Sequence, residues 1–207
     1  MNPHFFGSTG RALFGVHVPG HSQGPRGAAR AVVLCYPWGQ EYLRAHRSMR
    51  LLADMLAAKG CDVLRFDYSG TGDSGGDAAT TSFADWESDI ETAMDELKDT
   101  TGVSRVALVG LRIGGTLAAR VADRRRRDLS ALVLWDPVTS GDAYLQELLG
   151  TAEAKEHPAE RPVRRPDALG GGYEFLGFVL TESSIRELSS IRLTAPAAGW
   201  PNRTHIV

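Results

Sequence analysis

Four apolar runs of strand length, each followed by a polar or glycine-rich turn, constrain this chain more than any other feature. They are "AVVLCYP" (31–37), "CDVLRFDY" (61–68), "SRVALVG" (104–110) and "SALVLWDP" (130–137). Runs without apolar-polar alternation suit strands buried on both faces, as in parallel sheets. Helical patterns separate them. One runs from Leu43 to Lys59, with Met49, Leu52, Met55 and Leu56 on one face and Gly60 closing it. Another follows Ser82, a helix cap, with Phe83, Trp86, Ile90, Ala93, Met94 and Leu97 sharing a face. A third spans about Gly114 to Asp123. Strand and helix in alternation with short connections predict an α/β fold with a doubly wound, mostly parallel sheet.

The flanks read differently. "FFGSTGRALFGVHVPG" predicts two short strands joined near Gly7 to Gly10, and "HSQGPRGAAR" a polar connection. Residues 1–137 thus form the core. Residues 138–191 break the alternation: a helix in "VTSGDAYLQELLGTAEAKE", an extended stretch in "HPAERPVRRP", then a short hairpin or strand and a helix around Ser183 to Ile191. That block is expected as a cap-like insertion over the strand ends. Residues 192–207 are expected to begin a further, incomplete core segment.

Ligands of doubly wound sheets bind beyond the carboxyl ends of the strands. The turns after Tyr36, Tyr68, Val109 and Trp135 are therefore the places to search. The turn "GLRIGG" places small Gly110 and Gly114 around a central Arg112, the form of a sharp strand-to-helix elbow. An ordinary tight turn with an incidental arginine is the simpler alternative. "YPWGQE" is a Pro-Gly turn, and "SGTGDSGG" satisfies Gly-x-Gly-x-x-Gly at Gly70, Gly72 and Gly75. No helix opens on those glycines and no acidic residue ends a strand about 20 residues later, so a dinucleotide site is discounted.

In order and spacing, these pieces resemble the α/β-hydrolase superfamily over Ala31 to Pro137. "DYSGTGDS" resembles its Asp-x-x-Gly-x-Gly-x-Ser segment, and "GLRIGG" stands where its nucleophile elbow belongs. More narrowly, "GLRIGGTLAA" with "LVLWDPVTSGDAYLQELL" is similar to bacterial exosortase-associated and serine aminopeptidase (S33)-like hydrolases, the first of which recurrently carry arginine at the elbow. The resemblance implies ester or amide (acyl) hydrolysis, an association with exopolysaccharide systems, and an oxyanion hole from the backbone near Trp38 and at Ile113. It also makes Asp136 the acid of some family members, although as a residue it reads as a strand-ending Asp before Pro.

Two departures follow. A guanidinium stays protonated and has no lone pair with which to attack a carbonyl, so Arg112 is no nucleophile. The superfamily's histidine comes after two further strands, and this chain stops at Val207; His205 is too early. Ser69 and Ser74 read as turn residues and Cys35 as an inert buried thiol. The alternative to a hydrolase is a non-catalytic relative that binds an acyl or anionic ligand or a protein partner. Arg112, beside a helix N-terminus that is already partly positive, then needs an anion. Either it pairs with Glu41 or Asp136, or it holds a ligand's carboxylate or phosphate. An incomplete sheet is expected to leave an open edge, covered by a partner or a second copy unless the chain is a fragment.

Composition narrows the remaining classes. A net charge of -2 favours neither nucleic acid nor an acidic membrane surface. The one strong basic run, Arg124 to Arg127, reads as a solvated helix end, with a phosphate or partner contact as the alternative. No apolar run reaches the roughly 18 residues of a membrane span. Two cysteines, Cys35 and Cys61, and six histidines match no metal spacing, so no metal and no cofactor are expected. The thiols read as reduced, in a cytoplasmic protein.

Overall fold

The computed structural model describes residues 1–21, 30–153, 163–165, 172–175, 177–194, 200–201 and 203–207. The polar connection read at 22–29 and most of the proline- and arginine-rich stretch at 157–166 lie outside the described residues.

The chain begins with a hairpin, β1 (Asn2–Ser8) and β2 (Arg11–Val18). It continues through β3 (Arg30–Cys35), α1 (Gln40–Ala58), β4 (Cys61–Phe66), α2 (Phe83–Thr101), β5 (Val106–Leu111) and α3 (Ile113–Arg124). A single 3-10 turn, Arg126–Asp128, leads into β6 (Leu129–Trp135). The remaining elements are α4 (Gly141–Glu153), β7 (Val163–Arg165), β8 (Gly172–Phe175), β9 (Phe178–Leu180), α5 (Glu182–Ser190) and β10 (Thr204–Ile206).

Seven strands form one sheet in the order β1-β2-β4-β3-β5-β6-β10. β2 runs antiparallel to β1 and β4, and every other pairing is parallel. The order reverses between β3 and its neighbours β4 and β5, so the turns after β3 and β5 meet at the switch point where doubly wound folds bind ligands. Val33, Leu34, Val63, Leu64, Leu108, Leu132 and Leu134 are almost fully buried, which is why those strands are apolar throughout.

The helices form where periodicity and caps agree. Ser82 opens α2 with a reciprocal capping box to Asp85, and Gly102 closes it in the left-handed conformation. Its expected face of Phe83, Trp86, Ile90, Ala93, Met94 and Leu97 is buried. The expected face of α1 needs correction. Met49, Ala53 and Ala57 are its buried residues, whereas Met55 is 59% exposed. At 100° per residue, Met55 lies about 160° round the helix from the centre of the Met49–Ala53–Ala57 face.

The segment after β6 docks on this core at several points. The backbone of Gly141 approaches α5 so closely that an added Cβ would overlap the Leu188 carbonyl. Glu187 of α5 accepts bonds from the N–H groups of Phe83 and Ala84 at 3.0 and 2.9 Å, satisfying orphan donors at the start of α2. Phe178 of β9 packs edge-on against Trp38 at 5.9 Å. β7, β8 and β9 form a separate antiparallel sheet. β10 pairs with β6 and lies at one edge of the main sheet. Among the described residues, no helix is long and apolar enough to cross a membrane.

The basic run is not simply solvated. Arg124 bonds Glu87 and Glu91, and Arg125 bonds Asp95 and Asp128. The run therefore clasps α3 to the acidic face of α2.

Candidate functional site

The turn between β5 and α3 is an elbow built by backbone contacts. Gly110 has no room for a side chain: a Cβ would lie 2.5 Å from Gly115 Cα. At Gly114 a Cβ would lie 2.2 Å from the Tyr36 carbonyl oxygen, so this glycine lets α3 start directly against the end of β3. Arg112 stands between them with φ 54° and ψ -125°, in a region that a side chain makes costly. Its N–H donates to the Trp135 carbonyl at 3.0 Å, and its carbonyl accepts from Gly115 N–H at 3.0 Å. Thr116 Oγ1 donates to the Val138 carbonyl at 2.7 Å, fastening α3 to the end of β6.

The Arg112 side chain is 17% exposed and meets three carboxylates. Its Nε donates to Glu41 Oε1 at 2.8 Å, Nη1 to Asp136 Oδ2 at 3.1 Å and Nη2 to Glu147 Oε2 at 2.6 Å. Glu41 comes from the first turn of α1, Asp136 from the end of β6 and Glu147 from α4. Tyr144, one helical turn before Glu147, donates its hydroxyl to Glu41 Oε2 at 2.6 Å. The guanidinium carbon also stands 5.3 Å from the centre of the Tyr144 ring, a cation–π contact. Burial lowers the affinity of Arg112 for its proton, but the bonds to Glu41 and Glu147 more than offset this and hold the pKa above its ordinary value. Burial foremost, and then Glu41, push the Tyr144 phenol well above its usual range. Asp136 itself has φ 44°, so the chain bends sharply where its carboxylate turns to Arg112.

The structure thus brings together Arg112, Glu41 and Asp136. It adds Glu147 and Tyr144, which sequence reasoning missed. Their signal was an i, i+3 pair of tyrosine and acid on one helix. Ile113 is the first residue of α3, where an N–H has no acceptor within its own helix. Trp38 precedes Gly39, whose φ of 67° starts α1. His205 lies on β10, paired with Val133 of β6.

The serines named from sequence are both engaged locally. Ser69 is 3% exposed, and its N–H and hydroxyl donate to Asp89 at 2.9 and 2.7 Å. Ser74 Oγ donates to the Asp67 carbonyl and accepts from Phe14 N–H. Cys35 is wholly buried, and burial pushes its thiol pKa far up. Among the described residues, no group of three or more His, Cys, Asp or Glu is placed to hold a metal ion.

A cavity of about 150 Å³ lies between Trp38, the loop after β4 and the β9–α5 segment. Trp38, Phe83, Trp86, Phe178 and Leu180 line it, with the backbone of Gly70 and Gly72 on one wall.

Residues 27–162 match the family described as serine aminopeptidase, S33. The chain belongs to that family. Its fold is shared with solved α/β-hydrolase structures. One is Est1E from Butyrivibrio proteoclasticus, with ferulic acid bound: TM-score 0.65 and 18% identity, covering 91% of this chain and 71% of that one. Another is a putative hydrolase from Agrobacterium vitis, with TM-score 0.63 and 20% identity over 99% and 77% of the two chains. In sequence, the chain is 27% identical over 101 residues to the mitochondrial palmitoyl-protein thioesterase ABHD10 of Homo sapiens. That match takes in 49% of this chain and 31% of the relative, about a third of its length.

Proposed function

We propose that this member of the S33 hydrolase family recognises a small acyl ligand and does not pass through a serine acyl-enzyme. One observation carries the reading: the elbow position holds Arg112, and every nitrogen of its guanidinium already donates to a carboxylate. A permanent cation cannot attack a carbonyl. Three carboxylates already outweigh the single positive charge, so an external anion would be repelled, which favours an internal lock over an anion-binding arginine. The acyl part of the proposal rests on the aromatic-lined cavity beside Trp38, whose 150 Å³ suits one ring or a short chain. Est1E holds ferulic acid, an aromatic acid, and the ABHD10 relative is a thioesterase of palmitoyl proteins; this chain would take the smaller kind of acyl group.

A second reading is ester or amide hydrolysis by a displaced nucleophile. The elbow backbone favours it, because Gly110, Gly114 and the first N–H of α3 keep the form in which an oxyanion hole is built. A fluorophosphonate probe separates the two readings. The first expects no labelled serine by mass spectrometry, together with quenching of tryptophan emission by cinnamate-type acids. A stoichiometrically labelled serine would refute it in favour of the second. On either reading, the resemblance of the elbow to exosortase-associated hydrolases supports a role beside exopolysaccharide synthesis. Two buried free thiols support a cytoplasmic setting.

A further inference from the structure

On the other side of the first turn of α1 lies a second cavity, of about 220 Å³, framed by β2, β4 and α1. Its floor is Arg65, at the fifth position of the strand "CDVLRF". Arg65 is only 8% exposed. Its one hydrogen bond is from Nη1 to the Tyr36 hydroxyl at 3.1 Å. Among the described residues Nε has no partner, and no carboxylate lies within ion-pair distance of the guanidinium. A buried cation without a counter-ion is unfavourable, and an apolar residue in its place is usually tolerated or stabilising. Its retention in an apolar strand calls for a different cause.

With Nη1 committed to Tyr36 and Nε sealed from solvent, Nη2 is the donor left to the cavity, a charged partner for one oxygen of a carboxylate. Two of the other lining residues, Asp67 and Asp73, carry the opposite charge. Asp67 is held in place by the Tyr42 hydroxyl at 2.9 Å and by Asp73 N–H at 3.1 Å, and Asp73 stands exposed at the mouth. The Tyr36 and Tyr42 rings pack at 5.3 Å, tilted by 51°, and give the cavity an apolar wall.

One guanidinium, two carboxylates and an apolar wall within one small cavity are complementary to a molecule carrying both charges. We infer that this cavity is a binding site for a small zwitterionic amino-carboxylate, its carboxylate on the Arg65 guanidinium and its ammonium group toward Asp67 and Asp73. The inference does not depend on the proposed function, because none of the residues invoked contacts Arg112. The two sites meet at the end of β3, where the Tyr36 carbonyl abuts Gly114, and at α1, where Glu41 faces the elbow and Tyr42 faces the cavity.

Calorimetric titration of the whole chain tests it, with glycine, alanine and 4-aminobutyrate as probes. Acetate, ethylammonium and inorganic phosphate are the single-charge controls. At least one amino-carboxylate is expected to bind saturably, at least tenfold more tightly than acetate or ethylammonium. Asp73→Asn, at the exposed mouth, is expected to fold normally and to weaken the amino-carboxylate severalfold while leaving acetate unchanged. Arg65→Gln is expected to abolish binding. Should that variant fail to fold, the Asp73→Asn titration decides alone. Absence of saturable binding by every amino-carboxylate overturns the inference. So does acetate or phosphate binding as tightly as the amino-carboxylates, or a folded Arg65→Gln chain that still binds them.

Discussion

If Arg112 locks the elbow, its three carboxylates should contribute unequally, and the inequality is measurable. The Glu41 pair is the partly desolvated one: the bond is 2.8 Å, with side chains 17% and 25% exposed. Tyr144 fixes the second oxygen of Glu41, so little side-chain entropy is lost on pairing. Such a charged hydrogen bond is worth about 1–2 kcal/mol after discounting for residual solvent. Asp136 and Glu147 pair at 3.1 and 2.6 Å, but their side chains are 69% and 56% exposed. Each is therefore worth about 0.5 kcal/mol or less, and salt screens it further. Arg112→Ala should destabilise the chain by about 2–3 kcal/mol, because it also leaves three carboxylates facing one another. Arg112→Gly should lose about 1 kcal/mol less than that, since glycine relieves the cost of φ 54°. Urea unfolding followed by circular dichroism gives each value, provided the m-value is unchanged. A double-mutant cycle of Arg112→Ala with Glu41→Gln isolates the inner pair, and one with Asp136→Asn the outer pair. A Glu41 coupling no larger than the Asp136 coupling would refute the reasoning. Arg112 would then be no lock on the elbow, and the charge argument against an anionic ligand would fall with it.

Three other outcomes follow from the same contacts. Gly114→Ala should cost about 3 kcal/mol or more in a urea melt, because its Cβ would meet the carbonyl oxygens of Tyr36 and Cys35 at 2.2 and 2.5 Å, which are backbone and cannot rotate away. Ser82→Ala should cost only about 1 kcal/mol, the loss of the hydroxyl's bonds to Asp85 N–H and to the Asp85 carboxylate, since Glu187 still satisfies Phe83 and Ala84; adding Glu187→Gln should deepen the loss beyond that of either change alone. Bonds from Arg125 and then Lys98 depress the Asp128 pKa, and Ser82 foremost depresses that of Asp85, so both acids stabilise the fold fully above about pH 4 and lose this as pH falls through their folded-state values. Asp128→Asn should therefore flatten the acid limb of stability against pH below about pH 4, while Asp85 keeps part of that slope in either chain; Asp89, raised by burial, contributes in the opposite sense and above about pH 4.

What the sequence disclosed about this protein follows the range of the interactions involved. Strands buried on both faces and helices with one apolar stripe are local patterns, so β3 to β6 and the face of α2 were legible. The acids of α2 that bind the arginine run were legible in principle too. Glu87, Glu91 and Asp95 recur every four residues, a stripe that predicts a basic partner. Arg65 carried a comparable signal, a cation inside an apolar strand, and was passed over because a strand with one solvent-facing residue looks the same. Glu147 and Tyr144 are a different case. Their meeting with Arg112 depends on how α4 lies over the strand ends, and that is set by contacts such as Gly141 with Leu188, 47 positions apart, which no local pattern encodes.

The elbow itself shows why motif and chemistry come apart. Its shape rests on Gly110 and Gly114 and on bonds from the backbone of Arg112 to Trp135 and Gly115, none of which uses the central side chain. Any residue that tolerates the positive φ keeps the turn, whether it attacks a carbonyl or not. Side-chain chemistry is decided separately, by what stands around it. Here that surrounding is three carboxylates and a buried tyrosine, supplied by α1, β6 and α4. A nucleophilic serine at this point would stand among three carboxylates and a tyrosine hydroxyl, groups that favour a cation. Conversion of the site to serine chemistry therefore requires removal of Glu147 or Glu41 as well as replacement of Arg112, because the elbow has been rebuilt electrostatically around the guanidinium.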